Sequence, residues 1–288
     1  MALLSLLSSV PGFLEHCSQS SGNAFNAFTQ LLASLKSPET QLGAHQFFIS
    51  VYQAWQEKTS EQEYYFSFVT QTVKTYDGNS RELLLLLFPS IFAPEEWSFT
   101  FYEGILRYPS EEFYSRRVVE LGCGSGWITL AIALNSLPKV IYGVDLNPRA
   151  IVCSQLNLYL NALDDTGKPI LDREQQSLID RVRFAESDLL EYFTDYPHPL
   201  DRIVGCIPQV LNPELEVMRD LVHQGANDEF LHSLSNYCEK QGYVEDQFGL
   251  GLLAKAIEQS IKLLRPTGKV IFNFGGRPGA SVLERLMT

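Results

Sequence analysis

A doubly wound α/β sheet is the fold class this sequence predicts, and three observations predict it. From about residue 116 onward, short β-branched runs alternate with helical stretches, the rhythm of a mostly parallel sheet with right-handed crossovers. A glycine turn, Gly122-Cys123-Gly124-Ser125-Gly126, joins the first such run to the first helix, so the backbone there can approach a ligand beside a helix N-terminus. Acidic residues, Glu120, Asp145 and Asp188, close three successive strand-like runs, and open α/β sheets bind ligands outside the carboxyl ends of their strands.

Composition bounds the answer. The chain has 288 residues, enough for one domain with a substantial appendage. At 45% hydrophobic residues it can bury a sizeable core and is not a disordered chain. A formal net charge of −12 repels phosphate backbones, so no nucleic-acid partner is expected. The five cysteines (Cys17, Cys123, Cys153, Cys206, Cys238) are scattered without a C-x-x-C pair. That pattern argues for reduced thiols in a cytoplasmic protein and against a disulfide framework or a metal site.

Taken in order, residues 1–88 predict a mainly helical appendage. "MALLSLLSSVPGFLEHC" has no basic segment and meets Glu15 early, so it does not read as a signal peptide. Phe25, Phe28, Leu32 and Leu35 fall on one helical face, and Lys36-Ser37-Pro38 ends that helix. A second helix is expected over about 39–56. The aromatic, β-branched "YYFSFVTQTV" (64–73) reads as a short strand. "LLLLLF" (83–88) is far shorter than the ~20 residues of a membrane span. It reads as buried core, and no membrane partner is expected.

Residues 89–288 hold the alternating pattern. "RVVELGCGSG" is a strand entering the glycine turn, "WITLAIALN" a helix and "KVIYGVDLN" a second strand. Pro148 suits the first turn of the next helix. A polar insertion (164–180) precedes "RVRFAESD" and "DRIVGCIP", the third and fourth strands. Residues 212–245 form a long excursion with a helix near "DEFLHSLSNYC", and 228–251 are expected to roof a pocket, hinged at Gly242, Gly249 and Gly251. "FGLGLLAKAIEQSIKLL" is a helix and "GKVIFNFGG" a fifth strand.

The strand ends suggest one ligand. Asp145 ends the second strand, where a carboxylate can accept both hydroxyls of a ribose. Asp188 follows the third, placed for an adenine amino group. With the glycine turn, this set resembles the Rossmann-like class I methyltransferases, which implies S-adenosylmethionine as cofactor. The resemblance assigns Glu120 to the cofactor's methionine amine and Gly122, Cys123, Gly124 and Gly126 to its backbone cradle. Asp145 with Leu146, Asp188 with Leu189, and Cys206 complete the expected cofactor site.

The fourth strand empties into Cys206-Ile207-Pro208-Gln209. In the N-methylating branch of that class this loop reads Asn-Pro-Pro-Tyr, and the Asn grips the N–H of a nitrogen that sheds a proton after attack. A thioether has no proton to shed and little acceptor capacity. It needs in-line placement in a dry pocket instead.

"ELGCGSGWITLAIA", "IYGVDLNPRA", "LNLYLNALDD", "DRIVGCIPQVLNP" and "GYVEDQFGLGLLAKAIE" together resemble the N-terminal catalytic part of the plant methionine S-methyltransferase family, over most of residues 89–288. The resemblance implies methyl transfer from S-adenosylmethionine to the sulfur of free L-methionine, giving S-methylmethionine and S-adenosylhomocysteine. Longer chains of that family continue into an aminotransferase-like region, through which a homo-oligomer can form. A class I sheet ordinarily continues with an antiparallel strand pair, and this chain stops at "SVLERLMT", so a C-terminal truncation is expected. Substrate placement without a base is expected of Cys206, Ile207, Pro208 and Gln209, with Tyr102 and Tyr243 as aromatic faces for a sulfonium. Arg107 or Arg277 is expected to hold the methionine carboxylate, and Glu103 or Asp246 its ammonium. Two other readings stay open: an N-methyltransferase acting on a protein glutamine or small amine, and a silent cofactor-binding module.

Overall fold

The structure, a computed structural model, describes residues 9–59, 62–207, 209, 241–275 and 279–286. Pro208, Arg277, Cys238 and the expected excursion after Gln209, with most of its pocket-roofing segment, lie outside these residues.

Three helices come first among the described residues: α1 Val10–Cys17, α2 Ser21–Lys36 and α3 Gln41–Gln56. The hydroxyls of Ser9 and Ser20 accept from the backbone N–H groups of Gly12 and Asn23, satisfying donors that the first turns of α1 and α2 leave free. Phe13 meets Phe28 edge to face at 5.1 Å, a favoured aromatic geometry. Of the expected face of α2, Phe28, Leu32 and Leu35 are buried, and Phe25 packs on Phe88 at 5.6 Å.

The strand expected at 64–73 is β1, Ser67–Lys74, and the leucine run is β2, Ser80–Leu87, its antiparallel partner. The appendage is therefore helices plus a hairpin. Its β2 strand lacks polar–apolar alternation because both faces are covered. Leu83 and Leu85 enter one buried cluster with Trp127 and Ile128, while Leu86 and Leu87 enter another with Phe28 and Phe48.

Next come α4, Glu96–Leu106, and the sheet: β3 Arg117–Leu121, β4 Val140–Asp145, β5 Val182–Glu186, β6 Leu200–Gly205 and β7 Leu264–Phe272. The order is β5-β4-β3-β6-β7, and every neighbouring pair is parallel. The crossovers carry α5 Trp127–Ser136, α6 Pro148–Ala162, the short α7 Leu178–Arg181 and α8 Gly251–Leu263; α9, Ala280–Leu286, follows β7. Among the described residues no helix is long and apolar enough to cross a membrane.

Helix α6 joins appendage to sheet. Its Ala150, Cys153, Leu156 and Leu160 belong to the cluster built on Phe28 and Phe48. Two asparagines one turn apart on α6 complete the join. Asn161 accepts from the Leu84 N–H at 3.0 Å and donates to the Leu84 carbonyl at 2.8 Å. Asn157 accepts from the Leu86 N–H at 2.7 Å and donates to the Leu86 carbonyl at 3.0 Å and to the Ser125 carbonyl at 2.9 Å. Side-chain amides thus stand in for a neighbouring strand along the free edge of β2. Asn157→Leu strands the Leu86 N–H and the Ser125 carbonyl and leaves the Leu86 carbonyl only the Cys153 thiol, and the expected loss is about 2 kcal/mol, or roughly 4–8 °C of melting temperature. A thermal unfolding curve within about 1 °C of the parent would contradict this account of the edge.

Candidate active site

The strand order reverses at β3: the chain moves outward to β4 and β5, then crosses back to β6 and β7. Such a switch point opens a crevice outside the carboxyl ends of the two central strands, here where Leu121 pairs with Gly205. Both sequence-predicted loops leave from that crevice and touch. A Cβ on Gly122 would stand 3.2 Å from Cγ2 of Ile207, and its φ of 68° strains any other residue, so glycine eases the close approach of the two loops. Gly124, at φ 52°, has nothing within 4 Å of where a Cβ would be. It faces open space, and its bare backbone is accessible to a ligand.

Two buried carboxylates flank that open glycine. Asp145 ends β4 and accepts from the backbone N–H of Gly124 and of Asn147, each at 2.9 Å. Burial raises its pKa against the pull of those bonds. Glu120, in β3, accepts from the Thr129 hydroxyl of α5. Burial, with the negative charge of Asp145 adding to it, pushes Glu120 up to about 8. Among the described residues no cation contributes to either shift. Buried acids ordinarily hold a cationic partner, so the pair fits a ligand that brings positive charge and hydrogen-bond donors.

Around them lies a cleft lined by Phe92, Trp97, Ser98, Glu120, Gly122, Cys123, Gly124, Asp145 and Cys206. Trp97 and Ser98 belong to the first turn of α4, where Glu95 and Ser98 cap one another's backbone. Gly126 starts α5 and packs against Phe184 and Ser154. Asp188, Leu146 and Leu189 stand on the same sheet rim but outside this cleft. Leu146 is 43% exposed, and Leu189 is buried in a left-handed conformation at φ 50°. Asp188 is ion-paired to Lys255 of α8 at 2.5 Å.

The loop after β6 differs from expectation in one residue. Cys206 does line the cleft; its sulfur accepts from the Asn273 side chain at 3.4 Å, and burial pushes the thiol up to about 11. Gln209 was expected to place substrate, yet both ends of its amide are committed. Its Nε2 donates to the Asn273 carbonyl at 2.6 Å and its Oε1 accepts from the Gly275 N–H at 2.7 Å, tying this loop to the end of β7.

Three further residues stand elsewhere. Tyr102 is buried beside Trp127, and its hydroxyl accepts from the Lys74 N–H at 2.9 Å, so it fastens the hairpin to α4. Tyr243 donates to Glu258. Asp246 accepts from the N–H groups of Gly242 at 2.8 Å and Tyr243 at 3.0 Å and caps its own turn. The sequence reading missed Asn273, Trp97 and Ser98. An asparagine closing the otherwise apolar "KVIF" run was the available signal for the first. Among the described residues no group of three or more His, Cys, Asp or Glu could hold a metal ion.

A family profile described as "Methyltransferase small domain" matches residues 106–187, the span from the end of α4 to just past β5. Methionine S-methyltransferase of Arabidopsis thaliana is 51% identical over 283 residues, covering 97% of this chain and 26% of that protein. The protein of the same name from Wollastonia biflora is 48% identical over 99% of this chain and 27% of its own length. The Zea mays protein is 46% identical over 96% of this chain and 26% of its own length. The chain thus spans about a quarter of the length of the curated relatives it matches. The parallel sheet with its switch point at β3 and β6 is the class I methyltransferase fold that the sequence predicts. With nearly half or more of its residues shared along almost its whole length, the chain belongs to the family of the plant methionine S-methyltransferases.

Proposed function

We propose that this chain transfers the methyl group of S-adenosylmethionine to the thioether sulfur of free L-methionine. The observation that carries the reading is Cys206: a neutral, buried thiol lines the cleft where N-methylating enzymes present an asparagine. Methionine S-methyltransferase, the name borne by its relatives in three plants, points the same way.

The residues fit the donor. Asp145 holds the ribose hydroxyls, Glu120 faces the ammonium, and the open backbone at Gly124 lets the donor lie close. The donor supplies an electrophilic methyl group on a sulfonium. The acceptor thioether gives a lone pair to the methyl carbon as the old carbon–sulfur bond returns its pair to the donor sulfur. One sulfonium is lost and one is formed, and no proton moves. The cleft therefore needs to position and to exclude water, not to deprotonate. The buried free thiols Cys17, Cys123, Cys153 and Cys206 suit a reducing compartment, the cytoplasm of a plant cell.

Incubation with methyl-labelled S-adenosylmethionine and methionine should yield labelled S-methylmethionine with no protein substrate present. Label appearing only in a peptide glutamine or a small amine would overturn the reading, and no label in any acceptor would leave a silent binding module. A second expectation concerns Cys206. Cys206→Ala should keep most of the turnover, losing about 1 kcal/mol of packing. The single-turnover rate, at saturating donor and methionine, should be flat across neutral pH in both proteins. A thousandfold drop in the mutant would show that the thiol takes part in the chemistry.

A further inference from the structure

We propose that the acceptor amino acid lies in a second cavity, between α4 and the end of β7, with Arg107 holding its carboxylate. This inference rests on the methionine-methylating reading and deepens it. The cavity measures about 400 Å³, within the ~300–1,000 Å³ typical of small-molecule pockets. Phe101, Ile105, Ile271 and Phe272 give it apolar walls, and Arg107, Tyr108 and Asn273 give it a polar rim.

Two features join this cavity to the acidic cleft. Asn273 lines the cavity and donates to the sulfur of Cys206, which lines the cleft. Helix α4 also serves both: Trp97 and Ser98 face the cleft, while Thr100, Phe101, Gly104 and Ile105 face the cavity. Ten helical steps lead from Trp97 to Arg107, the residue that caps α4, about 15 Å along the axis. An arginine side chain and an extended amino acid span that distance together.

Charge then sets the direction of the acceptor. Asp145, joined by Glu120 once the donor's ammonium has driven off its proton, disfavours a carboxylate and favours positive charge. Arg107 sits at the far end; among the described residues its side chain forms no hydrogen bond or ion pair. Methionine entering this field turns its carboxylate to Arg107, where a planar guanidinium can bind it through two parallel bonds. Its thioether then points past Phe101 toward Asn273 and Cys206, on the side where the methyl donor binds. An arginine that merely complements the C-terminus of α4 would not distinguish acceptors that do and do not carry a carboxylate.

That difference is the test. Parent, Arg107→Ala and Arg107→Lys are assayed with methionine and with 3-(methylsulfanyl)propylamine, which keeps the thioether and amine but lacks the carboxylate. Arg107→Ala should raise KM for methionine about 10- to 100-fold, with kcat within about twofold, the pattern of a lost uniform binding contact. KM for the propylamine should not change, and Arg107→Lys should recover part of the methionine affinity. Unchanged affinity for S-adenosylhomocysteine verifies that the variants fold. A KM for methionine that stays within about twofold, or that rises equally for both acceptors, overturns the assignment of Arg107 while leaving methionine methylation intact. A parent protein that binds S-adenosylhomocysteine yet makes no S-methylmethionine overturns the underlying reading, and this inference with it.

Discussion

Asp145→Ala should weaken binding of S-adenosylhomocysteine by about 30- to 700-fold, from the loss of two charge-assisted hydrogen bonds together worth ~2–4 kcal/mol. The expectation follows from where the carboxylate sits. It is buried at the end of β4, held by N–H donors from Gly124 and Asn147, and therefore already fixed before a ribose arrives. A fixed acceptor loses little conformational freedom on binding. Asp145→Asn separates charge from shape: it keeps the volume but loses an acceptor, and it should fall between parent and alanine. Calorimetric titration reads both variants, and affinity for Asp145→Ala within about twofold of the parent would falsify the assignment.

Binding of the same ligand should release close to one proton per site at pH 7. The source is Glu120, which burial and the neighbouring Asp145 push up to about 8, so the free protein holds it mostly protonated at neutrality. An ammonium placed against it favours the ionised form and drives the proton off. Affinity should therefore rise with pH until Glu120 ionises unaided, near pH 8. Stability of the ligand-free protein runs the other way. The folded value lies above the ordinary 4.5, so the stabilisation from keeping a neutral carboxyl buried is fully present below pH 4.5 and is lost as pH climbs through 8. Glu120→Gln should flatten both dependences and lower affinity about tenfold or more, the cost of a charged partner. Titration in two buffers of different ionisation heat measures the proton count. Equal heats in both buffers at pH 7 would show that Glu120 does not meet the ligand's charge.

The sheet was legible because each strand is a short apolar run closed by a residue with a task at the sheet rim. Glu120, Asp145 and Cys206 could be placed from sequence, since a strand end and its loop are local features. The hairpin was less legible. Five consecutive leucines, four of them buried and Leu84 partly so, show neither the period of a helix nor that of a half-exposed strand. Side-chain partnerships across long stretches of chain left no local mark at all. Gln209 is claimed by residues 273 and 275, Tyr102 by Lys74, and Asp188 by Lys255. Each kept the chemistry that suggested a ligand role and spent it within the protein. Arg107 is the opposite case: the sequence could name it only as one of two candidate cations, and the fold shows it at the rim of an apolar cavity.

The asparagine ladder between α6 and β2 has a practical reach beyond stability. Asn157 grips the hairpin with its oxygen and the Ser125 carbonyl of the glycine turn with its nitrogen, so the leading segment is wired to the loop that meets the donor. A shortened gene product beginning near residue 89 would leave those amides over an empty groove and bare the aliphatic stripe of Ala150, Leu156 and Leu160. Such a fragment should collect in inclusion bodies. Supplying residues 1–88 as a separate polypeptide should return it to solution, which makes the junction a natural place to split the chain into two complementing halves.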